Sequence, residues 1–260
     1  MKLWDTHTHT TASADGIMKV EEAIARAEAL GIGIGFTEHL DYEGDTEESY
    51  AVDPKALVEE RKGLREKGVL IGIEAGLTLN TRGATKAALD VDLDFIVGSV
   101  HVVDGYDIFT TFWQQGEKEV LARKYLGYVL LMIERCPFFD SLGHIDYPSR
   151  YCPFPDKEME YEDYKKEYDL IFEALLDNGK ILELNTRRFM PDSGAGAKSL
   201  YCVLDAYKNM GGKLLTLGSD AHEAQRIGHC FDKAYEMANH VGLQFVRFVE
   251  RKPVLFKNAR

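Results

Sequence analysis

Seven short runs rich in apolar and β-branched residues recur along the chain, each followed by a stretch of helical character. The strand-like runs are residues 3–7, 32–37, 69–75, 95–100, 140–144, 181–185 and 214–219. The helix-like stretches are 20–30, 54–67, 86–88, 117–135, 161–178, 199–210 and 231–240. Gly31 supplies a stop for the first of these. Asp53 and Pro54 supply an N-cap and a first helical position for the second. The segment 86–88 is so short that a turn serves equally well. Parallel strands need crossover connections, so this alternation predicts an α/β fold with a parallel sheet. Seven such units leave edges that closure into a barrel would remove; an open doubly wound sheet is the alternative. Residues 244–256 read as an extra strand pair or arm closing the last gap. No linker, repeat or low-complexity tract divides the 260 residues, so one domain spanning 1–260 is expected.

Charge and cysteine usage narrow the function. Acidic residues outnumber basic ones 43 to 31, a net charge of −12. A face for long nucleic acid needs the opposite balance. A small anion is still allowed, because bound cations supply positive charge locally. The four cysteines (Cys136, Cys152, Cys202 and Cys230) form no Cys-x-x-Cys pair, and free thiols in a reducing cytosol are expected. Polar Asp5-Thr6-His7 follows the N-terminus almost at once, so no signal peptide is expected and a cytoplasmic location is. The apolar stretch 128–133 is far below the roughly 20 residues of a membrane span.

Six of the eight histidines stand just after predicted strands. His7 and His9 end the first run, two apart, and residues two apart in a strand share a side. His39 follows the second, Glu74 ends the third, His101 the fourth and His144 the fifth. Asp220 and His222, again two apart, end the seventh. Strand C-termini of a parallel barrel converge on one mouth, where functional side chains gather. A lone histidine is more often a core residue than a ligand. A whole ring of them without an ion would leave buried ring nitrogens poorly satisfied. Imidazole with carboxylate and no thiolate suits Zn, Mn or Fe. The ligands are too many for one ion, so two or three divalent ions are expected, with Glu74 as the candidate bridge. His229 and His240 match no ligand pattern: the first reads as a loop or helix-start residue, the second as a helix-end charge.

Taken together, Asp-Thr-His-Thr-His, Glu-His, an isolated Glu, Ser-Val-His, Gly-His and Ser-Asp-Ala-His resemble the polymerase-and-histidinol-phosphatase (PHP) superfamily. The resemblance spans His7 to His222 and implies a distorted (β/α)7 barrel with a di- or trinuclear metal site. It implies that His7, His9, Glu74 and Asp220 hold one ion, that Glu74, His101 and His144 hold a second, and that Asp15, His39 and His222 hold a third. Asp15 stands in Ser-Ala-Asp-Gly, where some relatives place a histidine; a turn role before Gly16 competes with ligation. Gly-His-Ile-Asp-Tyr, Glu-Leu-Asn-Thr and Phe-Val-Glu-Arg-Lys-Pro are similar to the stand-alone histidinol-phosphate phosphatases, which act in histidine biosynthesis. That branch implies a small phosphate ester as substrate, hydrolysed by metal-bound hydroxide. A phosphodiesterase or nucleotide phosphatase acting on a small nucleotide, and a metal-binding module without catalysis, are the alternatives.

Charge building on a phosphoryl group needs cationic partners. Arg150, just beyond His144, and one of Arg187 and Arg188, just beyond the sixth strand, are the candidates, because guanidinium binds two phosphate oxygens at once. Strand alternation would send only one of the adjacent pair into the mouth. Each could instead pair with a surface acid. Asn185 is a candidate substrate contact or a turn cap. Asp220 or His222 could protonate the leaving alkoxide, although ligation would compete. The acidic run 41–48 reads as a solvated loop or as a lid attracting a cationic amine.

Overall fold

A computed structural model describes residues 2–44, 50–189 and 196–256. Nine strands form one continuous path. In chain order they are β1 (Trp4–Asp5), β2 (Gly33–Asp41), β3 (Leu70–Gly76), β4 (Phe95–Ser99), β5 (Ser141–Leu142), β6 (Ile181–Asn185), β7 (Leu214–Gly218), β8 (Gln244–Val249) and β9 (Lys252–Leu255). Along this path every ladder from β1 to β8 is parallel, and β8 and β9 run antiparallel. Each of the seven expected runs carries a strand. Strands β2, β3, β4 and β6 are buried almost throughout, as expected of parallel strands covered on both faces.

Helices fill the crossovers: α1 (Val20–Leu30), α2 (Pro54–Arg61), α3 (Arg82–Ala88), α4 (Lys118–Arg135), α5 (Tyr147–Tyr151), α6 (Lys165–Asp177), α7 (Gly196–Asn209) and α8 (Phe231–Val241). Gly31 ends α1 in the left-handed conformation, and the Asp53 carboxylate caps α2 by accepting from the backbone of Lys55 and Ala56. The segment 54–67 is not one helix. It tightens at Arg61 into a 3₁₀ turn over Lys62–Lys67. The short reading of 86–88 expands to the two turns of α3.

The regular ladders leave a seam between β1 and β7, and the chain just beyond these strands bridges it. Thr6 N–H donates to the Leu217 carbonyl (2.9 Å), Asp220 N–H to that of His7 (2.8 Å) and His9 N–H to that of Ala221 (2.8 Å). Thr8 and Ala221 form an isolated parallel bridge. The tail does not perform this closure, contrary to expectation. Strand β8 pairs with only Leu214 and Leu215 at the start of β7, leaving the later half of β7 to β1. Its hairpin then runs under the N-terminal ends of β4 and β5. There Arg251 N–H donates to the Asp94 carbonyl and the Arg251 guanidinium reaches Asp140. The arrangement is a distorted α/β barrel whose strand C-termini share one mouth.

Candidate metal centre

All six strand-end histidines meet at that mouth. His7 and His9 both point inward, with ring centroids 5.2 Å apart. Glu74, at the end of β3, lies between them and the opposite wall. Its Oε2 is 3.3 Å from His7 Nε2, 3.4 Å from His9 Nε2 and 3.2 Å from His39 Nδ1. Its Oε1 is 2.8 Å from His144 Nε2 and 3.3 Å from His101 Nε2. Asp220 Oδ1 completes the first group at 3.6 Å from His9 Nε2 and 3.9 Å from His7 Nε2. Asp220 sits at φ +55°, a left-handed conformation that aspartate tolerates better than most residues and that often marks working sites. At the rim, Asp15 Oδ2 is 3.0 Å from His222 Nε2 and 3.6 Å from His39 Nε2.

Four donor atoms in this cluster are buried without a hydrogen-bond partner: His7 Nε2, His9 Nε2, Glu74 Oε2 and His144 Nδ1. Three of them face one point. Orphaned buried polar atoms are costly, and shared cations would satisfy them together, so the donor set fits divalent metal. Electrostatics agree. Burial pushes the Glu74 carboxyl up, but the imidazoles of His7, His101 and His39 outweigh it and hold the group well below the usual carboxylate range. Burial, with His39 and His222 alongside, drives His9 well below an ordinary imidazole, which leaves a neutral ligand. Burial also opposes charge on His101, yet Asp41 and Glu74 carry it up to about 10. The centre attracts positive charge. Divalent ions should therefore stabilise the fold: free zinc at a hundredfold above its Kd contributes about 2.7 kcal/mol. That is a rise of roughly 5–10 °C in Tm for a chain of this size. Melts with zinc and with chelator check this; coincident transitions would contradict it.

Two carboxylates behind the cluster have other readings in the sequence: Asp41 opens the run 41–48 expected to be a loop or lid, but it ends β2 with its side chain largely covered, and Glu183 carries no assigned role. Asp41, two residues after His39, places Oδ1 2.8 Å from His101 Nδ1 and Oδ2 3.1 Å from His39 Nδ1. Gly76 makes room for it, since a Cβ there would lie 2.0 Å from Asp41 Oδ1. Glu183, two residues before Asn185 on β6, sits 2.6 Å from His7 Nδ1. Both belong to the pattern in which a carboxylate fixes the far nitrogen of a ligating histidine. Period-two spacing along β2 and β6 was the one sequence signal for them.

A cavity of about 620 Å³ opens above the cluster, within the range for small ligands. Arg150, on α5, lines it together with Arg187. Arg150 donates to Asp220 Oδ2 and, at 3.1 Å, to Asn185 Oδ1. Its acid partner is thus a buried one at the centre. Arg188 does not reach the cavity. It is fully buried and donates to Asp146 and Glu158. The two arginines diverge because residues 186–189 form a 3₁₀ turn, not a continuation of β6. Asn185 also lies behind the wall, accepting from Arg150 and from the Arg187 backbone N–H at 3.0 Å. Asp220 Oδ2 receives Arg150, while its Oδ1 lies 3.6 Å from His9 Nε2 and 3.8 Å from His222 Nδ1. His229 and His240 lie outside the cluster, and residues 45–48 of the acidic run fall outside the described residues.

The PHP domain family matches residues 5–187. The chain belongs to the PHP family. The family match stops before β7, but full-length relatives extend past Asp220 and His222. A probable histidinol-phosphatase from Clostridium acetobutylicum is 32% identical over 96% of this chain and 98% of its own. The histidinol-phosphatase of Lactococcus lactis is 30% identical, covering 93% of this chain and 92% of its own. A crystal structure of histidinol phosphate phosphatase from Lactococcus lactis, complexed with zinc, L-histidinol and phosphate, superposes with a TM-score of 0.89. It has 29% identity and covers 97% of this chain and 99% of that one.

Proposed function

We propose that this PHP protein is a metal-dependent phosphomonoesterase that hydrolyses L-histidinol phosphate to L-histidinol and phosphate. One observation carries the chemistry: unpartnered His7 Nε2 and His9 Nε2 converge on unpartnered Glu74 Oε2, and Glu74 lines a cavity together with Arg150 and Arg187. The similarity over nearly the whole chain to histidinol-phosphatases supports the substrate. The activity resides in one domain over 1–260, and histidine biosynthesis in the cytoplasm is the setting that this substrate implies. No helix among the described residues is long and apolar enough to cross a membrane.

His7, His9, Glu74 and Asp220 would hold one ion; Glu74, His101 and His144 a second; Asp15, His39 and His222 a third, which His9 also approaches. Zinc is the first assignment; manganese and iron accept the same donors, and a loading series separates the three. Divalent ions bound there supply Lewis acidity and an ionised water near neutral pH. The protein's own side chains do the rest. Arg150 and Arg187 present guanidinium groups to the phosphoryl oxygens, where charge accumulates during in-line displacement. Because Arg150 is anchored by Asp220 and Asn185, it is oriented before substrate arrives, which lowers the cost of ordering it. Asp220, held by Arg150 at Oδ2, and His222, on Asp15 at the rim, are the two candidates to protonate the leaving alkoxide; whichever one ligates an ion through the atom concerned does not donate from it.

The test is phosphate release from L-histidinol phosphate beside simple phosphomonoesters, nucleotides and phosphodiesters, with metal content measured on the same sample. Preference for L-histidinol phosphate with metal-dependent turnover is expected. Preference for a nucleotide or diester, or no turnover with metal bound, would remove this assignment. The adjacent arginines should also separate cleanly. Arg187→Ala should raise KM for phosphate esters while leaving the melting transition near wild type. Arg188→Ala strands Asp146 and Glu158 as buried carboxylates and should cost about 3–5 kcal/mol of stability. Kinetics and denaturant unfolding of the two variants check this; matching phenotypes would contradict it.

A further inference from the structure

We infer that Glu183 is a positioning residue that ties the first metal ligand to the phosphate-binding arginine through one buried carboxylate. The inference rests on the metal and phosphate roles proposed above. The Glu183 Oε1 accepts from His7 Nδ1 at 2.6 Å. Its Oε2 accepts from the backbone N–H of His144 at 2.8 Å and from Asn185 Nδ2 at 3.0 Å. Asn185 Oδ1 in turn receives Arg150 at 3.1 Å, and Arg150 holds Asp220. A single side chain on β6 thus reaches the chain just after β1, the turn after β5 and, through Asn185, α5.

The chemistry of each contact fixes a state. A carboxylate only accepts, so His7 carries a proton on Nδ1, and in the neutral ring, the form able to ligate, the lone pair is on Nε2 and aimed at the cluster. The same constraint sets the Asn185 amide: its NH₂ points to Glu183, so its carbonyl oxygen points to Arg150. Gly218 on β7 keeps the space open. A Cβ there would lie 2.4 Å from Glu183 Oε1 and 2.4 Å from His7 Cβ.

Glu183→Gln is close to isosteric and tests the claim. An amide offers one acceptor and one donor where three donors now converge. Turned one way, its NH₂ meets His7 Nδ1 and favours the tautomer protonated on Nε2, which cannot ligate. Turned the other way, it meets the His144 N–H and the Asn185 amide. Zinc affinity of the metal-free protein, by competition with a chromogenic chelator, should fall roughly 10–100-fold. Asn185→Ala should leave zinc affinity within about twofold of wild type and raise KM for the phosphate ester, since it removes the link to Arg150 and the Arg187 backbone N–H but keeps Glu183 on His7 and on the His144 N–H. A folded Glu183→Gln protein with wild-type zinc affinity would overturn the inference. If that variant does not fold, the wild-type zinc protein still decides: ¹⁵N–¹H spectra of the His7 ring should show the proton on Nδ1. A proton on Nε2 would overturn the inference. Zinc affinity and tautomer are read without substrate, so a wrong substrate assignment leaves this result intact and separately visible.

Discussion

Glu74→Gln is expected to remove at least one metal equivalent and to lower kcat/KM roughly 10³-fold or more, while the fold survives. Its two oxygens approach five imidazoles, those of His7, His9, His39, His101 and His144. Among the described residues it is the carboxylate shared by two of the candidate ligand groups, His7–His9–Glu74 and Glu74–His101–His144. Glutamine keeps the volume and can still accept the Ser99 hydroxyl hydrogen bond, made at 2.6 Å in the native protein. It removes the charge and turns one ligand atom into a donor. Metal content and steady-state kinetics on the purified variant check this. A protein with full metal content and near-native turnover would show that Glu74 does not bridge.

Arg150→Ala should have the second largest effect, in activity and in stability. Arg150 is both the cation that lines the cavity above the metal cluster and the partner of buried Asp220. Burial pushes the Asp220 carboxyl up, but Arg150 first and then His7 hold it well below the usual range. Without the guanidinium, kcat/KM should fall roughly 10²–10³-fold, with a raised KM. Lysine keeps the charge but not the fork that spans Asp220 and Asn185, so Arg150→Lys should recover only part of the loss. In chelated protein the uncompensated Asp220 should cost about 3–5 kcal/mol. Metal on the same carboxylate should shrink that deficit. Equal losses with and without metal would sink the view that Asp220 is shared between Arg150 and an ion.

The convergence of the candidate ligands was legible from sequence for a specific reason. Ligation at a strand end forces histidines and acids into fixed places relative to short apolar runs. His7 with His9 and Asp220 with His222 carry the two-residue period of that geometry on their surface. The supporting carboxylates Asp41 and Glu183 carry it too, but single acids on buried strands have many structural uses. Only the distances to His101 and His7 distinguish them. Arg187 and Arg188 show a different limit. Their divergence comes from a local 3₁₀ turn, and nothing in Thr-Arg-Arg-Phe says that the strand has ended. The tail shows a third. Whether β8 fills the seam or extends the sheet depends on which half of β7 the first strand occupies. That is decided by the bonds from Thr6 and His9 and by Arg251 under the barrel, contacts between residues more than 100 positions apart.

The central claim is that these donors cage divalent ions at one rim. Anomalous diffraction above the zinc edge, on crystals grown from zinc-loaded protein, tests it most directly. We expect a peak about 2.0–2.2 Å from His7 Nε2, His9 Nε2 and the Glu74 and Asp220 oxygens, and a second beside Glu74, His101 and His144. Peaks confined to surface histidines such as His240, with the strand-end cluster empty, would contradict the account.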